Sequence, residues 1–175
     1  KVDGATLSAA KLGTGINAVP GAEWRQIALT AATAESCAAE EKKVILVRKE
    51  TSPEDVGGMH AAQGILTATG GKTSHAAVVA RGWGKCCIVG CSALSIDERN
   101  QTISIGGKTL KQGDFLTLDG SEGAIYEGQL PLVIPKLPDE YYTLMKWCDA
   151  KRRLRVRTNA DTPYDAENAV KMGAE

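Results

Sequence analysis

Gly70-Gly71-Lys72-Thr73-Ser74-His75-Ala76-Ala77-Val78-Val79-Ala80-Arg81-Gly82 is the stretch on which the reading of this chain turns. A glycine pair makes a turn, Thr73 and Ser74 are residue types that cap helices, and the alanine–valine run behind them stops at another glycine. The pattern predicts a short helix with one imidazole, His75, at its start. Helix starts leave backbone N–H groups unpaired, and these donors, with the positive end of the macrodipole, stabilise an anion by roughly 0.3–1 kcal/mol. A phosphoryl group carried by His75 would sit among them. Neutral imidazole attacks phosphorus to form a phosphoramidate that hands its phosphoryl group on, whereas a serine or threonine ester is a poor donor.

Working outward, Val44 to Arg48 is a compact apolar run suited to a buried strand. Thr51-Ser52-Pro53-Glu54-Asp55 follows as a helix start, with a cap, proline at the first helical position and acids in the first turn; Gly57-Gly58 keeps that helix short. Residues 65–68 and 86–89 read as strands on either side of the His75 helix. Beyond Asp97, residues 102–105 and 109–110 flank Gly106-Gly107, and residues 115–118 and 124–126 flank a turn from Asp119 to Gly123, which predicts two β-hairpins. A strand–helix alternation joined to a strand-rich half is a mixed α/β layered domain, here assigned to residues 23–130. Residues 1–22, rich in Gly, Ala and small polar side chains, read as an arm. Pro131, Pro135 and Pro138 mark an extended connector over 131–138. Past it, 139–153 reads as a helix, 154–157 as a strand, and Asp161-Thr162-Pro163 as the cap of a helix through Met172, so 139–175 is expected to open another domain.

Composition narrows the functional classes. Lys+Arg and Asp+Glu are both 21, which gives no net pull toward nucleic acid, membrane or acidic substrates. The apolar runs fall far short of the ~20 residues that cross a bilayer, and residues 1–20 lack the pattern of a secretory signal. Cys37, Cys86, Cys87, Cys91 and Cys148 are odd in number and lack paired C-x2-C spacing, so they read as free thiols of a reducing, intracellular compartment. Lys151-Arg152-Arg153-Leu154-Arg155-Val156-Arg157 is better explained as a charged helix end feeding a strand than as a nucleic-acid patch, having no aromatic stacking partners.

Competing readings of the central stretch are weaker or blander. A nucleotide-binding P-loop needs a glycine five positions before Gly71, where Leu66 stands, and Gly64 lies two residues too far away. His60 and His75, the only histidines, fall on separate elements and predict no metal site. His75 could be a structural histidine, Lys72 a solvated residue of the turn, and Arg81 a complement to the helix dipole. Thr73 and Ser74 offer hydroxyls to phosphate oxygens, and one of them at least is expected to cap the helix.

Gly64-Ile65-Leu66-Thr67, leading into the Gly70 stretch and on through Trp83-Gly84-Lys85-Cys86-Cys87, resembles the phosphohistidine domain of the pyruvate phosphate dikinase family of PEP-utilising enzymes. Glu50-Thr51-Ser52-Pro53-Glu54-Asp55-Val56 and Gly58-Met59-His60-Ala61-Ala62 support the resemblance, and Asn159-Ala160-Asp161-Thr162-Pro163 resembles the start of the family's phosphoenolpyruvate-binding barrel. The resemblance covers most of 44–175. It implies a swivelling β/β/α phosphohistidine domain followed by a linker and a truncated first βα unit of a TIM-type barrel, with 1–22 as the arm from a missing N-terminal domain. It implies that His75 is the catalytic shuttle between ATP, phosphate and pyruvate on one side and AMP, diphosphate and phosphoenolpyruvate on the other. Gly71, Lys72, Thr73 and Ser74 would support the phosphoryl group, and Thr73 matches the threonine that plant members phosphorylate to switch the enzyme off. Lys72 departs from the methionine expected there, and related synthases carry arginine. Magnesium would belong to the outer sites of the full-length enzyme, with no metal held by this domain. The implied partners are the nucleotide-binding and PEP/pyruvate-binding domains of the same polypeptide, in a homodimer of the cytoplasm, plastid or glycosome, with no nucleic acid and no membrane. The chain alone is not expected to turn over. Two alternatives stand beside this: the equivalent domain of a phosphoenolpyruvate synthase, and a non-catalytic docking or regulatory module of the same fold.

Overall fold

The computed structural model describes residues 10–133 and 137–175. The chain divides into two compact units, 1–134 and 135–175, which are taken separately.

The first unit contains β1 (Lys11–Thr14), β2 (Ile16–Val19), β3 (Ala22–Ala28), α1 (Ala31–Ala39), β4 (Val44–Arg48), a 3-10 turn (Pro53–Asp55) running into α2 (Val56–Ala61), β5 (Gly64–Thr67), α3 (His75–Gly82) and β6 (Cys86–Val89). There follow β7 (Ser95–Asp97), β8 (Thr102–Ile105), β9 (Lys108–Lys111), β10 (Phe115–Asp119) and β11 (Ala124–Glu127). Eight strands join in the order β1-β11-β10-β3-β4-β5-β6-β2, with β7-β8-β9 as a separate antiparallel sheet. β3, β4, β5 and β6 run parallel, and the other pairings of the large sheet are antiparallel.

The two outermost strands of that order, β1 and β2, are separated in sequence by Gly15 alone, so one bent segment lines both edges and rolls the sheet closed. A Cβ at Gly15 would lie 2.7 Å from the Ile88 side chain and 2.8 Å from the Val89 carbonyl, a space that glycine alone fits. The arm expected over 1–22 is thus, from Lys11 on, built into the sheet. Its small and polar residues gave no apolar pattern to read, and pairing with β11 and β6 supplies the order instead.

Alternation along the strands separates two cores. Ile45, Val47, Leu66, Cys86, Ile88, Leu116, Leu118 and Ile125 face one side with Leu12 and Ile27, where Ile103, Ile105 and Leu110 of the small sheet join them. Val44, Leu46, Ile65, Cys87 and Val89 face the other, against Ala34 of α1, Met59 of α2 and Ala76, Ala77 and Ala80 of α3. Burial on both faces is why β4, β5 and β6 read as unbroken apolar runs. Leu130 and Leu132 pack beside Tyr126, so the chain leaving β11 stays against the sheet, while the remainder of the connector expected over 131–138 falls in part on 134–136, outside the described residues.

The second unit holds α4 (Asp139–Lys151) and α5 (Pro163–Lys171), the latter capped as its sequence predicts: Thr162 Oγ1 accepts the Asp165 N–H at 3.1 Å and donates to Asp165 Oδ2 at 2.7 Å. Residues 154–157, expected as a strand, are not one. They lie in a unit with no strand among the described residues to pair with, and the Val156 carbonyl accepts the Glu175 N–H at 2.9 Å. No helix among the described residues is long and apolar enough to cross a membrane.

Candidate phosphoryl-carrying site

The turn from β5 to α3 lies at the carboxyl ends of the parallel strands, where open α/β sheets place their ligands. Hydrogen bonds on three sides fix it. Thr69 donates to the Lys49 carbonyl through its N–H at 2.9 Å and its hydroxyl at 3.0 Å. Thr67 Oγ1 donates to the Thr69 carbonyl at 2.7 Å. From below, the Gly90 N–H reaches the Thr69 carbonyl at 3.3 Å and the Cys91 N–H the Thr67 carbonyl at 3.0 Å. Gly90 has φ +64°, and a Cβ there would lie 2.6 Å from the Gly70 carbonyl oxygen.

His75 is the first residue of α3 and is half-buried. Its Nδ1 lies 3.1 Å from Thr51 Oγ1, which leaves Nε2 as the ring atom without a partner among the described residues. Glu50, Thr51, Thr67, Thr69, Ser74 and His75 line a cleft of about 260 Å³. It is a hydroxyl-rich pocket with one carboxylate and one imidazole.

Ser74 stands at the N-cap: its carbonyl accepts the Val78 N–H at 3.0 Å. Its hydroxyl does not cap the helix, contrary to the expected capping by Thr73 or Ser74. Ser74 Oγ is covered and unpaired, turned toward Gly70, where an added Cβ would meet it at 3.0 Å. The first-turn N–H groups of α3 therefore lack a side-chain acceptor and can serve an anion. Gly71 accepts the Ser74 N–H at 2.9 Å and closes the turn, while Lys72 and Thr73 are exposed on its outside and do not line the cleft. Arg81 Nη2 donates to the Lys72 carbonyl at 3.1 Å and to the Ala18 carbonyl at 3.4 Å, tying the far end of α3 back over the turn.

Thr51 was not readable as a site residue, because its neighbours read as a helix start; the pairing of β4 with β5 brings 51 and 75 together. His60 is exposed on α2, with its ring edge-on to Trp83 at 5.2 Å between centroids. Lys85 Nζ donates to the carbonyls of His60 and Ala62 at the end of α2, and burial lowers its pKa. Burial pushes the thiols of Cys86 and Cys87 up to about 12, which removes thiolate chemistry there near neutral pH. Among the described residues no group of three or more His, Cys, Asp or Glu side chains is arranged to hold a metal ion.

Residues 40–123 match the family described as PEP-utilising enzyme, mobile domain. The chain is 54% identical over 161 residues to a chloroplastic pyruvate, phosphate dikinase of Arabidopsis thaliana, a match that covers 92% of this chain and 17% of that protein. It is 49% identical to the pyruvate, phosphate dikinase of Rhizobium meliloti and 50% identical to that of Clostridium symbiosum, over 94% of this chain in both cases and 18% and 19% of theirs. The chain thus spans under a fifth of the length of these relatives. Among solved structures, the NMR structure of an Enzyme I protein aligns with 63% of this chain and 39% of its own at a TM-score of 0.36 and 25% identity. The similarity to the mobile domain of PEP-utilising enzymes thus spans residues 40–123, and the similarity to pyruvate, phosphate dikinases extends over more than nine-tenths of the chain.

Proposed function

We propose that this chain is the phosphoryl-carrier portion of a pyruvate phosphate dikinase, which interconverts ATP, pyruvate and phosphate with AMP, phosphoenolpyruvate and diphosphate, and that His75 is the carrier. The observation that carries the reading is His75 itself: the first residue of α3, open to a cleft, with one ring nitrogen held by Thr51 and the other without a partner among the described residues. The similarity to dikinases over more than nine-tenths of the chain supports the same conclusion.

In the direction from phosphoenolpyruvate, the Nε2 lone pair attacks phosphorus. The N–P bond forms as the P–O bond to the enolate breaks, and the enolate, protonated on carbon, leaves as pyruvate. Nδ1–H donating to Thr51 Oγ1 is the tautomer that frees Nε2 for this step. The α3 N–H groups then face the phosphoryl oxygens, the Ser74 hydroxyl reaches them by rotating from its covered position beside Gly70, Gly71 shapes the turn, and Lys72 adds positive charge from its outer side. Residues 139–175 are assigned to the start of the PEP/pyruvate-binding barrel, and the nucleotide site to a further domain. Magnesium supplies charge neutralisation for phosphoryl transfer in those outer sites of the homodimeric parent.

The test is to give the full-length parent radiolabelled phosphoenolpyruvate and look for acid-labile, base-stable label on the protein. Label is expected in the wild type and absent in His75→Asn; label that persists in the variant overturns the assignment. Thr73, exposed two residues from His75, is the regulatory position. A phosphate there brings a charge of about −1.5 to −2 beside the incoming anion. Thr73→Glu is expected to slow labelling about fivefold and Thr73→Val to leave it within about twofold, since two like charges ~4 Å apart at an exposed position cost about 1 kcal/mol.

A further inference from the structure

The turn that presents Thr51 to the imidazole is itself held by a cluster outside the cleft. Asp55 is only 7% exposed. Its Oδ2 accepts the Ser52 N–H at 2.9 Å and the Ser52 hydroxyl at 3.3 Å. Its Oδ1 faces Arg48 Nε at 3.6 Å. Arg48 in turn donates through Nη1 to Glu98 Oε1 at 2.8 Å and to the Leu29 carbonyl at 3.2 Å. The segment is thus fixed at both ends, at Lys49 by the two bonds from Thr69 and at Ser52 by Asp55. Thr51 lies between, with its hydroxyl directed at His75. A carboxylate taken out of water is costly unless it is paired and hydrogen-bonded, and the bonds that stabilise this one are those that set the position of Thr51.

We propose that Asp55, held by Arg48, is a positioning residue for His75: by fixing the Thr51–Ser52 turn it makes Thr51 the acceptor of the Nδ1 proton and so leaves the lone pair on Nε2. Thr51 keeps that hydrogen bond as the N–P bond forms, because attack through Nε2 leaves the Nδ1 proton in place and the ring cationic until that proton is lost. The inference rests on the carrier reading for its chemical meaning, but the tautomer it specifies is measurable without any phosphoryl donor.

The experiment uses this 175-residue chain with His60→Gln, which leaves His75 as its one imidazole. Long-range 15N–1H NMR reads which ring nitrogen is protonated. Phosphoramidate then serves as donor: its P–N bond breaks as the His75 N–P bond forms, ammonia leaves, and 31P–15N coupling identifies the phosphorylated nitrogen. The Nδ1–H tautomer and phosphorus on Nε2 are expected. Thr51→Val and Asp55→Asn should each lower the Nδ1–H to Nε2–H ratio about five- to tenfold, the equivalent of one hydrogen bond, and slow phosphoryl uptake in proportion. Thr51→Ser should retain both within about twofold. If Asp55 acts through Thr51, the Asp55→Asn, Thr51→Val double variant matches Thr51→Val alone, whereas a merely structural carboxylate would add its own effect. Arg48→Gln, which keeps the carboxylate and removes its cation, is the second variant should Asp55→Asn fail to fold, and is expected to shift the ratio the same way. An unchanged ratio in folded Asp55→Asn or Arg48→Gln overturns the inference. A chain with the expected tautomer ratios that takes no phosphoryl group on His75 overturns the carrier reading and leaves the positioning role supported.

Discussion

At Gly90 a missing side chain decides where the site sits. Its left-handed φ costs an L-residue roughly 1–2 kcal/mol, and a methyl group would press on the Gly70 carbonyl oxygen at 2.6 Å. Gly90→Ala is expected to lower unfolding free energy by at least ~2 kcal/mol in urea titrations, with strain added to the conformational cost, and to shift the His75 ring resonances. Gly71 has nothing within 4 Å of an added Cβ. Gly71→Ala should therefore change stability by less than about 0.5 kcal/mol, as surface substitutions do, so that any loss of phosphoryl uptake in that variant reports on the anion's approach rather than on folding. The two inward cysteines give a different signature. Their folded pKa values are raised to about 12 by burial, so between pH 9 and 12 the unfolded chain loses protons that the folded chain keeps. Stability present below pH 9 then falls as pH rises, by up to ~1.4 kcal/mol per pH unit for each thiol. Urea melts at pH 8 and pH 10.5 measure this slope, which Cys86→Ala should reduce. His75 and its turn were legible in the sequence because a glycine pair and an alanine run are local signals. Thr51 and Asp55 were not legible as site residues, since what joins them to residue 75 is the register of neighbouring strands.

Among the elements, α3 shows how little room the site has. Ala76, Ala77 and Ala80 are buried against the sheet, and small side chains let the helix lie close to β6. Ala80→Leu is expected to destabilise by about 1–3 kcal/mol through overpacking, and because α3 begins at His75, the displaced helix should also alter the ring's NMR shifts; a variant that melts like wild type would show that α3 is loosely seated. The elements read correctly from sequence are those with a strong local pattern. β4, β5 and β6 are buried on both faces, and the pairs β8–β9 and β10–β11 are punctuated by glycine turns. β1 and β2 escaped because their order comes from partners more than a hundred residues away for β1 and about seventy for β2. α1 escaped for another reason: Ala31–Ala39 has almost no polar and apolar faces to distinguish, although Thr30, which accepts the Thr33 N–H at 3.1 Å, was a readable cap. The run 154–157 looked like a strand by composition and is not one, which is the expected fate of a strand pattern without a neighbour to bond.

In the molecule as a whole, the buried clusters that hold the rolled sheet draw on residues between Ala10 and Leu132, whereas none of the described residues in α4 or α5 is buried. A chain ended at residue 133 is expected to keep its melting temperature within about 4 °C, the shift that ~1 kcal/mol produces in a domain of this size. Residues 137–175 alone are expected to show weak helical circular dichroism, because helices shorter than about 12–15 residues are marginal in water without packing. A large fall in melting temperature on truncation would show that the first unit depends on the second.

Lys11 lies directly across the ladder from Tyr126, so the first strand of the roll is paired with its last, about 5 Å apart as antiparallel partners are. A unit whose first and last strands are neighbours has its two chain ends close together, the arrangement in which a domain is tolerated as an insertion within a longer polypeptide.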